Sequence, residues 1–146
     1  MVLAGMVLHP MSQAREVLGF YREFSANLPD DACCWLGLLN TPDGTPVAAL
    51  PMFYAGPLEQ GEPVLGPARQ FGQPLADLVQ PMPYVAYQSL LDAGFATHGI
   101  HRYWKSGYDD TLSDSCIDTL ILPFQTLLPR SYPSSWGSNI GPRNYS

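Results

Sequence analysis

The segment over residues 32–56 constrains the fold most, because it carries two apolar runs around a single turn signal. The turn contains Pro42, Asp43 and Gly44: proline presets φ, aspartate can bond its own backbone, and glycine accepts a positive φ. Two apolar runs around one such turn predict a β-hairpin. Since both runs are almost continuously apolar, we expect both strands to lie in the centre of a sheet.

A helix is predicted on each side of this hairpin. We expect Ser12 to cap the first helix, whose apolar residues share one stripe at helical spacing: Ala14, Val17, Leu18, Tyr21, Phe24 and Leu28. The second pattern covers residues 58–71, but Pro63 and Pro67 lie within it. We therefore expect a turn first and regular helix only in the second part. Residues 72–83, rich in proline and glutamine, are predicted to form a loop.

The remaining pattern predicts a strand over residues 1–8, a short helix over 84–92, a strand over 100–108 and a last helix capped by Ser113. This order of elements is that of a ferredoxin-like α+β sandwich with an extra helix. In such a fold, helices cover one face of an antiparallel sheet and the other face is open. An open apolar face requires a ligand, a second domain or a second copy of the chain.

A change in composition divides the chain at residue 122. All 13 acidic residues precede it, whereas the segment after it is rich in proline and serine and has no hydrophobic periodicity. A length of 146 residues suits one domain. We therefore predict a single α+β domain over residues 1–121 and an irregular tail over 122–146, which is either native or foreign to the domain.

Charge and cysteine content narrow the functional classes. The net charge of −6, with Lys and Arg scattered singly, disfavours nucleic acid and anionic lipid as partners. The three cysteines cannot form a disulfide framework, and we interpret them as buried free thiols. No apolar run is long enough to span a membrane and no signal peptide is recognisable, so a cytoplasmic protein is expected.

Two stretches resemble a known family. The first, residues 3–24, reads LAGMVLHPMSQAREVLGFYREF, and the second, residues 84–121, contains YQSLLDAGF, RYWKSGY and LSDSCIDTLI. With the intervening ALPMFYAGPLEQGEPVLGPARQFGQPLAD, they resemble the substrate domain of bacterial FAD-linked oxidases of the berberine-bridge type. The resemblance covers most of residues 2–121. It rests on the order and spacing of these segments and not on a catalytic signature.

This resemblance implies an oxidation in which a small alcohol, sugar or secondary metabolite transfers hydride to FAD, which oxygen reoxidises. In that family a separate FAD domain holds the flavin, and the sheet of the substrate domain covers the flavin ring. The sequence has no glycine-rich phosphate loop and no dinucleotide fingerprint. We therefore expect the chain to bind no FAD itself, to hold no catalytic residue, and to be the product of a truncated reading frame whose natural partner is the missing FAD domain.

The candidate substrate-binding residues are Gln88, Tyr103 and Lys105. On the strand predicted over residues 100–108, Tyr103 and Lys105 share the face that the resemblance turns toward flavin and substrate. There a phenol and an ammonium could hydrogen-bond substrate oxygens or stabilise a developing anion. Solvated strand residues explain this pair as well, and a helix cap or loop anchor explains Gln88 and Asp92 equally well.

A metal site and a serine nucleophile are both disfavoured. His98 and His101 have a spacing seen in metal sites, but no cluster of cysteines or carboxylates supports them, so no metal is expected. The sequence also lacks the Gly-x-Ser-x-Gly pattern of a nucleophile elbow.

Two functions stay open. The first is the substrate-binding portion of an FAD-dependent oxidoreductase, inactive alone. The second is a stand-alone ferredoxin-like module that binds a small apolar ligand and forms a homodimer through its open sheet face. The abrupt start and dissimilar tail favour the first, and the complete core favours the second. The two are compatible, because an isolated fragment could bury its open face against a second copy.

Overall fold

A computed structural model describes residues 1–41, 43–90, 92 and 112–126 of the chain. The strand predicted over residues 100–108 and the chain after residue 126 lie outside this part. The described elements, in chain order, are β1 Val2–Pro10, a 3₁₀ helix Met11–Gln13, α1 Ala14–Ala26, β2 Ala32–Cys34, β3 Gly37–Asn40, β4 Pro46–Tyr54, α2 Leu58–Arg69, β5 Ala76–Asp77, β6 Gln80–Met82, α3 Tyr84–Gln88 and α4 Asp114–Thr126. Helices and an antiparallel sheet together confirm the predicted α+β class.

The sheet is built on β1 and β4, which are antiparallel neighbours over eight register pairs from Leu3 with Tyr54 to Pro10 with Val47. Strands β2 and β3 both pair with the other side of β4, which confirms the hairpin. Strand β4 is central, as expected. The first arm is not, because it breaks between Cys34 and Gly37 and lies at the edge of the described sheet. Its residues from Leu36 to Leu39 are only half-buried, as suits an edge.

Strands β5 and β6 form where a loop was predicted, and both pair with the free side of β1. They are two and three residues long, too short to show a hydrophobic period. Gly5 in β1 makes room for the chain between them. A Cβ atom added at Gly5 would lie 2.2 Å from the carbonyl oxygen of Leu78. The amide of Leu78 donates to the carbonyl of Met6 at 2.9 Å.

Helices α1 and α2 pack on one face of the sheet. The predicted stripe of α1 is confirmed: Val17 and Leu18 are fully buried, and so is Leu65 of α2, against Val7 and Leu50 of the sheet. The start of α1 differs from the prediction. A 3₁₀ turn precedes it, its N-cap residue is Gln13 rather than Ser12, and no side chain caps it.

Helix α2 is continuous over Leu58–Arg69, so the predicted turn in its first part is wrong. Pro63 and Pro67 each remove one helical hydrogen bond, but both prolines are exposed, on the side where water can reach the freed carbonyls. The opposite side is closely packed, since a Cβ atom added at Gly61 would lie 2.7 Å from the side chain of Leu3. Tertiary packing therefore outweighs the low helix propensity of this sequence.

Helix α4 packs beside α1 and buries Ile117 and Ile121 in the same core. The predicted cap is confirmed, because the amide of Cys116 donates to Ser113 Oγ at 3.2 Å. The helix continues through Thr126, beyond residue 122, where the irregular tail was predicted to begin. Among the described helices, none is long and apolar enough to cross a bilayer.

The second face of the sheet is partly covered. Helix α3, which ends at Gln88, is shorter than the predicted helix over residues 84–92. Through Tyr87 it packs on Val2 and Ala4 of β1 and on Phe53 of β4. Ala49 and Pro51 on the same face are also buried. The face available for contacts is therefore smaller than a bare sheet and is concentrated around α3.

Candidate functional site

Four aromatic side chains, which we call the aromatic cluster, meet on the second face of the sheet: Trp35, Phe53, Tyr84 and Tyr87. Phe53 comes from β4, and the two tyrosines lie three residues apart in α3, which places them on one side of that helix. The ring centroid of Phe53 lies 5.5 Å from that of Tyr84 and 5.4 Å from that of Tyr87. The rings are inclined to one another, as is favourable for aromatic pairs.

Trp35 lies between β2 and β3, which keep one register with β4, and its amide donates to the carbonyl of Pro51 at 3.0 Å. Cys34 pairs with Met52, which belongs to the core under α1 and α2, and alternation along the strand turns the next residue to the other face. Trp35 Nε1–H then donates to Tyr87 Oη at 3.2 Å. This bond connects the first arm of the hairpin with α3.

The phenol of Tyr87 is suited to donate a hydrogen bond. In its bond with Trp35 the Tyr87 oxygen is the acceptor, so its own hydrogen is not used there. Burial is the largest influence on this group and raises the pKa of Tyr87 above its ordinary value, with the bond from Trp35 acting in the opposite direction. The phenol is therefore neutral at physiological pH.

Part of the cluster is open to solvent. Trp35 is 38% exposed, Tyr84 is 44% exposed and the adjacent Val85 is 71% exposed. Cys33 pairs with Phe53 across the strands, shares its face and is also exposed. Adjacent exposed apolar side chains are typical of a contact surface.

The prediction of three buried thiols is confirmed for one of them. Cys34 is buried in the core, and burial raises the pKa of its thiol to about 12, so it is unreactive. Cys116 is half-buried. Cys33 is exposed, because the edge position of β2 leaves its second face uncovered at this residue.

Of the predicted substrate-binding residues, the structure places Gln88. It is the last residue of α3, follows Tyr87 directly and is exposed. Asp92 lies beyond the end of α3, where its amide donates to the carbonyl of Ser89 at 3.1 Å. Tyr103 and Lys105 lie outside the described residues, so their position on the second face stays a prediction. The same holds for His98 and His101.

Only part of the aromatic cluster could be predicted from the sequence. The spacing of Tyr84 and Tyr87 in a predicted helix indicates that they share one side. Alternation along the predicted strand places Trp35 on the face opposite Cys34, but its contact with Tyr87 could not be derived, because the two residues are far apart in the sequence.

The described residues do not form a site for the diphosphate of FAD. Their arginines are engaged with carboxylates: Arg15 with Asp118, Arg22 with Asp114, and Arg69 with both Glu62 and Asp77. None of the described helices follows the glycine-rich loop that presents backbone amides to a phosphate. The same described residues contain no group of three or more His, Cys, Asp or Glu that could hold a metal ion.

Two shallow cavities lie on the helical side of the sheet. One, of about 310 Å³, lies between α1 and α4 and is lined by Arg15, Glu16 and Asp114 among others. The other, of about 280 Å³, lies between the end of α1 and α2 and is lined by Phe24, Pro63 and neighbouring residues. The residues that line these cavities do not overlap with the aromatic cluster, so the cluster is a separate candidate site.

Comparison with known proteins finds a partial similarity to a flavin-linked enzyme. It is similar to an FAD-linked oxidoreductase of Dictyostelium discoideum, with 31% identity over 108 residues, which are 73% of this chain and 22% of that protein. The chain thus spans about a fifth of the length of this relative. No protein-family model matches the chain. This similarity confirms the predicted resemblance to part of an FAD-linked oxidase.

Proposed function

We propose that the chain is the substrate-binding portion of an FAD-dependent oxidoreductase, of the berberine-bridge type found in bacteria. The observation that carries the proposal is the aromatic cluster, which lies on the sheet face away from α1 and α2 in a chain that is similar to part of an FAD-linked oxidoreductase. The parent reaction is oxidation of a small alcohol, sugar or secondary metabolite. Another domain would hold FAD, since the described residues do not fit its diphosphate.

The part played by this chain is to bind and orient the substrate. The exposed rings of Trp35 and Tyr84 offer apolar contact area, while the Tyr87 phenol and the Gln88 amide offer neutral hydrogen-bonding groups. Tyr103 and Lys105 would add a phenol and an ammonium from the predicted last strand. Such groups fix the position of a substrate hydroxyl without carrying out the chemistry, so the chain alone should be inactive.

Binding can be measured through tryptophan fluorescence. The purified chain is titrated with benzyl alcohol, glucose and glycerol as neutral probes. We expect saturable quenching by at least one probe, and Trp35→Phe should abolish it. Tyr87→Phe should weaken binding about 3- to 10-fold, the effect of one lost hydrogen bond. Tyr21→Phe is the matched control on the helical side and should leave binding unchanged.

A visible absorption spectrum tests the other half of the proposal. After incubation with FAD and gel filtration, the chain should show no flavin band. A chain that retains a yellow chromophore would refute the assignment of FAD to another domain. Quenching that is unchanged in Trp35→Phe would refute the assignment of substrate to the aromatic cluster.

The second candidate function is a homodimeric binding module. The observation that favours it is the exposure of Trp35, Tyr84 and Val85 next to one another on the second face. A two-fold interface repeats each residue, so Val85→Asp would bring two like charges together and dissociate the dimer. The mass of the chain in solution tests this second function. A dimer that Val85→Asp converts to monomer supports it, and a monomeric wild-type chain excludes it.

A further inference from the structure

His9 is a buried histidine that the proposed function does not use. It lies near the end of β1, opposite Ala48 of β4, and its side chain is completely buried on the face that α1 and α2 cover. Neither ring nitrogen has a hydrogen-bond partner among the described residues. A polar group in this position is costly to bury, and its charged form would be far more costly.

The segment that follows α2 lies over the imidazole of His9. The ring of Phe71 meets that of His9 edge to face, with 6.1 Å between centroids. Gly72, with φ at +62°, lies so close that an added Cβ atom would be 3.7 Å from His9 Nδ1 and 2.8 Å from the side-chain oxygen of Gln13. We call residues 71–75 the latch segment.

Few bonds hold the latch segment down. The amide of Gln73 donates to Gln13 Oε1 at 3.3 Å, and the amide of Leu75 donates to the carbonyl of Leu8 at 2.7 Å. Both of its ends are fixed, because Arg69 before it pairs with Asp77 after it at 2.7 Å. The segment can therefore open between two anchored ends.

No element packed on His9 brings a compensating charge to it within the described structure. Strand β4 contributes Ala48, the latch segment contributes Phe71 and Gly72, and the 3₁₀ helix contributes the uncharged Gln13. The arginines of the neighbouring helices are engaged elsewhere, Arg15 with Asp118, Arg22 with Asp114, and Arg69 with Glu62 and Asp77. Burial lowers the pKa of His9 below its ordinary 6.5, and the nearby polar side chain of Gln13, although it makes no hydrogen bond with the imidazole, offsets this only in part.

We propose that His9 and the latch segment form an acid-sensitive device, in which protonation of His9 opens residues 71–75 while the β1–β4 pairing stays closed. Water can reach the imidazolium only if one of the elements packed on His9 moves away, either β4 or the latch segment. On the β4 side, movement would break up to eight register pairs. On the latch side it breaks the two hydrogen bonds of Gln73 and Leu75 and the stacking of Phe71 on Phe20, whose ring centroids are 4.2 Å apart. These contacts are fewer than the register pairs of β4, so the latch side opens first.

The direction with pH follows from the lowered pKa of His9. The closed state binds the proton less readily than the open state, so opening is unaffected above pH 6.5 and increases as the pH falls below that value. With one proton involved, the opening constant rises by at most about tenfold per pH unit. The increase ends once the pH falls below the pKa of the closed state.

Hydrogen exchange followed by mass spectrometry at pH 7.5, 6.0 and 5.0, corrected for intrinsic exchange, tests the device on the whole chain. We expect the amides of Gln73 and Leu75 to lose protection as the pH falls, by up to about tenfold per unit. The amides of Pro46–Tyr54 that pair with β1 should not change. The double variant H98Q/H101Q removes the two other histidines and should behave as the wild type, whereas His9→Leu should lose the pH dependence.

Three results would overturn the proposal. They are a latch segment whose protection is independent of pH, a pH effect that persists in His9→Leu, and equal loss of protection in β4, which indicates global unfolding. If His9→Leu does not fold, the proposal is tested by NMR titration of the His9 Cε1 signal in H98Q/H101Q. Protonation of His9 must then coincide with latch exchange, and titration at a different pH refutes the coupling.

Discussion

Two glycine-to-alanine substitutions should have opposite effects on stability: Gly5→Ala tests the chain between β5 and β6, and Gly19→Ala tests the open side of α1. At Gly5 the added methyl group would lie 2.2 Å from the carbonyl oxygen of Leu78 and 2.7 Å from its carbonyl carbon, both backbone atoms. A side chain could rotate away, but backbone must shift. At Gly19, within α1, the methyl group would meet nothing within 4 Å.

The expected magnitudes follow from these distances. Overpacking against backbone costs about 1–3 kcal/mol, and moving the segment also strains the bond from the Leu78 amide to the Met6 carbonyl. Gly5→Ala should therefore lower the free energy of unfolding by about 1–3 kcal/mol. Gly19→Ala should raise it by about 0.5–1 kcal/mol, because alanine is the better helix former and no contact opposes it.

Urea denaturation followed by circular dichroism gives both values in one experiment. The slope of unfolding free energy against urea should be the same in both variants, so that a shift in the midpoint reports stability alone. If Gly5→Ala is as stable as the wild type, the chain around Leu78 does not lie against β1 as described. If Gly19→Ala is destabilised, the open side of α1 at this position is wrong.

Three further predictions concern the core, a helix cap and the thiols. Leu65→Ala, at a fully buried position in α2, should lower the free energy of unfolding by about 2–5 kcal/mol in the same urea assay, and a smaller loss would show that the α2 interface is loose. Ser113→Ala should cost about 1 kcal/mol and reduce helical circular dichroism, since Ser113 Oγ caps α4, while no change would contradict the cap. With the thiol reagent DTNB at pH 8, Cys33 should react in the folded chain and Cys34 only after unfolding, because one is exposed and the other is buried with its pKa raised to about 12. Cys33→Ser should therefore remove the fast phase of the reaction.

The elements with strong local signals could be predicted from the sequence. The hairpin over residues 32–56 and the stripe of α1 each combine a hydrophobic pattern with a turn or a helical period. The cap at Ser113 likewise follows from one residue and its neighbours. In each of these cases the information lies within a few consecutive residues.

The elements that depend on distant contacts could not be predicted. Strands β5 and β6 exist because β1 offers a free side and Gly5 allows close approach, neither of which is visible in residues 72–83. Helix α2 continues through Pro63 and Pro67 because its other side packs on β1 and β4. Tertiary contacts overrule local propensity at both places.

The candidate site depends on distant contacts to an even greater degree, since its four rings come from three separate segments. Alternation along the first arm of the hairpin turns Trp35 to the second face, but only α3 brings Tyr87 within hydrogen-bond distance of it. The edge position of the first arm in the described sheet leaves Cys33 exposed.

The two faces of the sheet also differ in chemistry, which bears on where a ligand would bind. On the helical side, the arginines of α1 and α2 are engaged with carboxylates, and the buried His9 is kept neutral by its surroundings. Those ion pairs are largely exposed and contribute little to stability. The aromatic cluster instead combines exposed apolar rings with a neutral phenol whose hydrogen is not used in its bond with Trp35. We propose that a neutral ligand with a hydroxyl group matches the second face, whereas the arginines of the helical side are already paired with carboxylates.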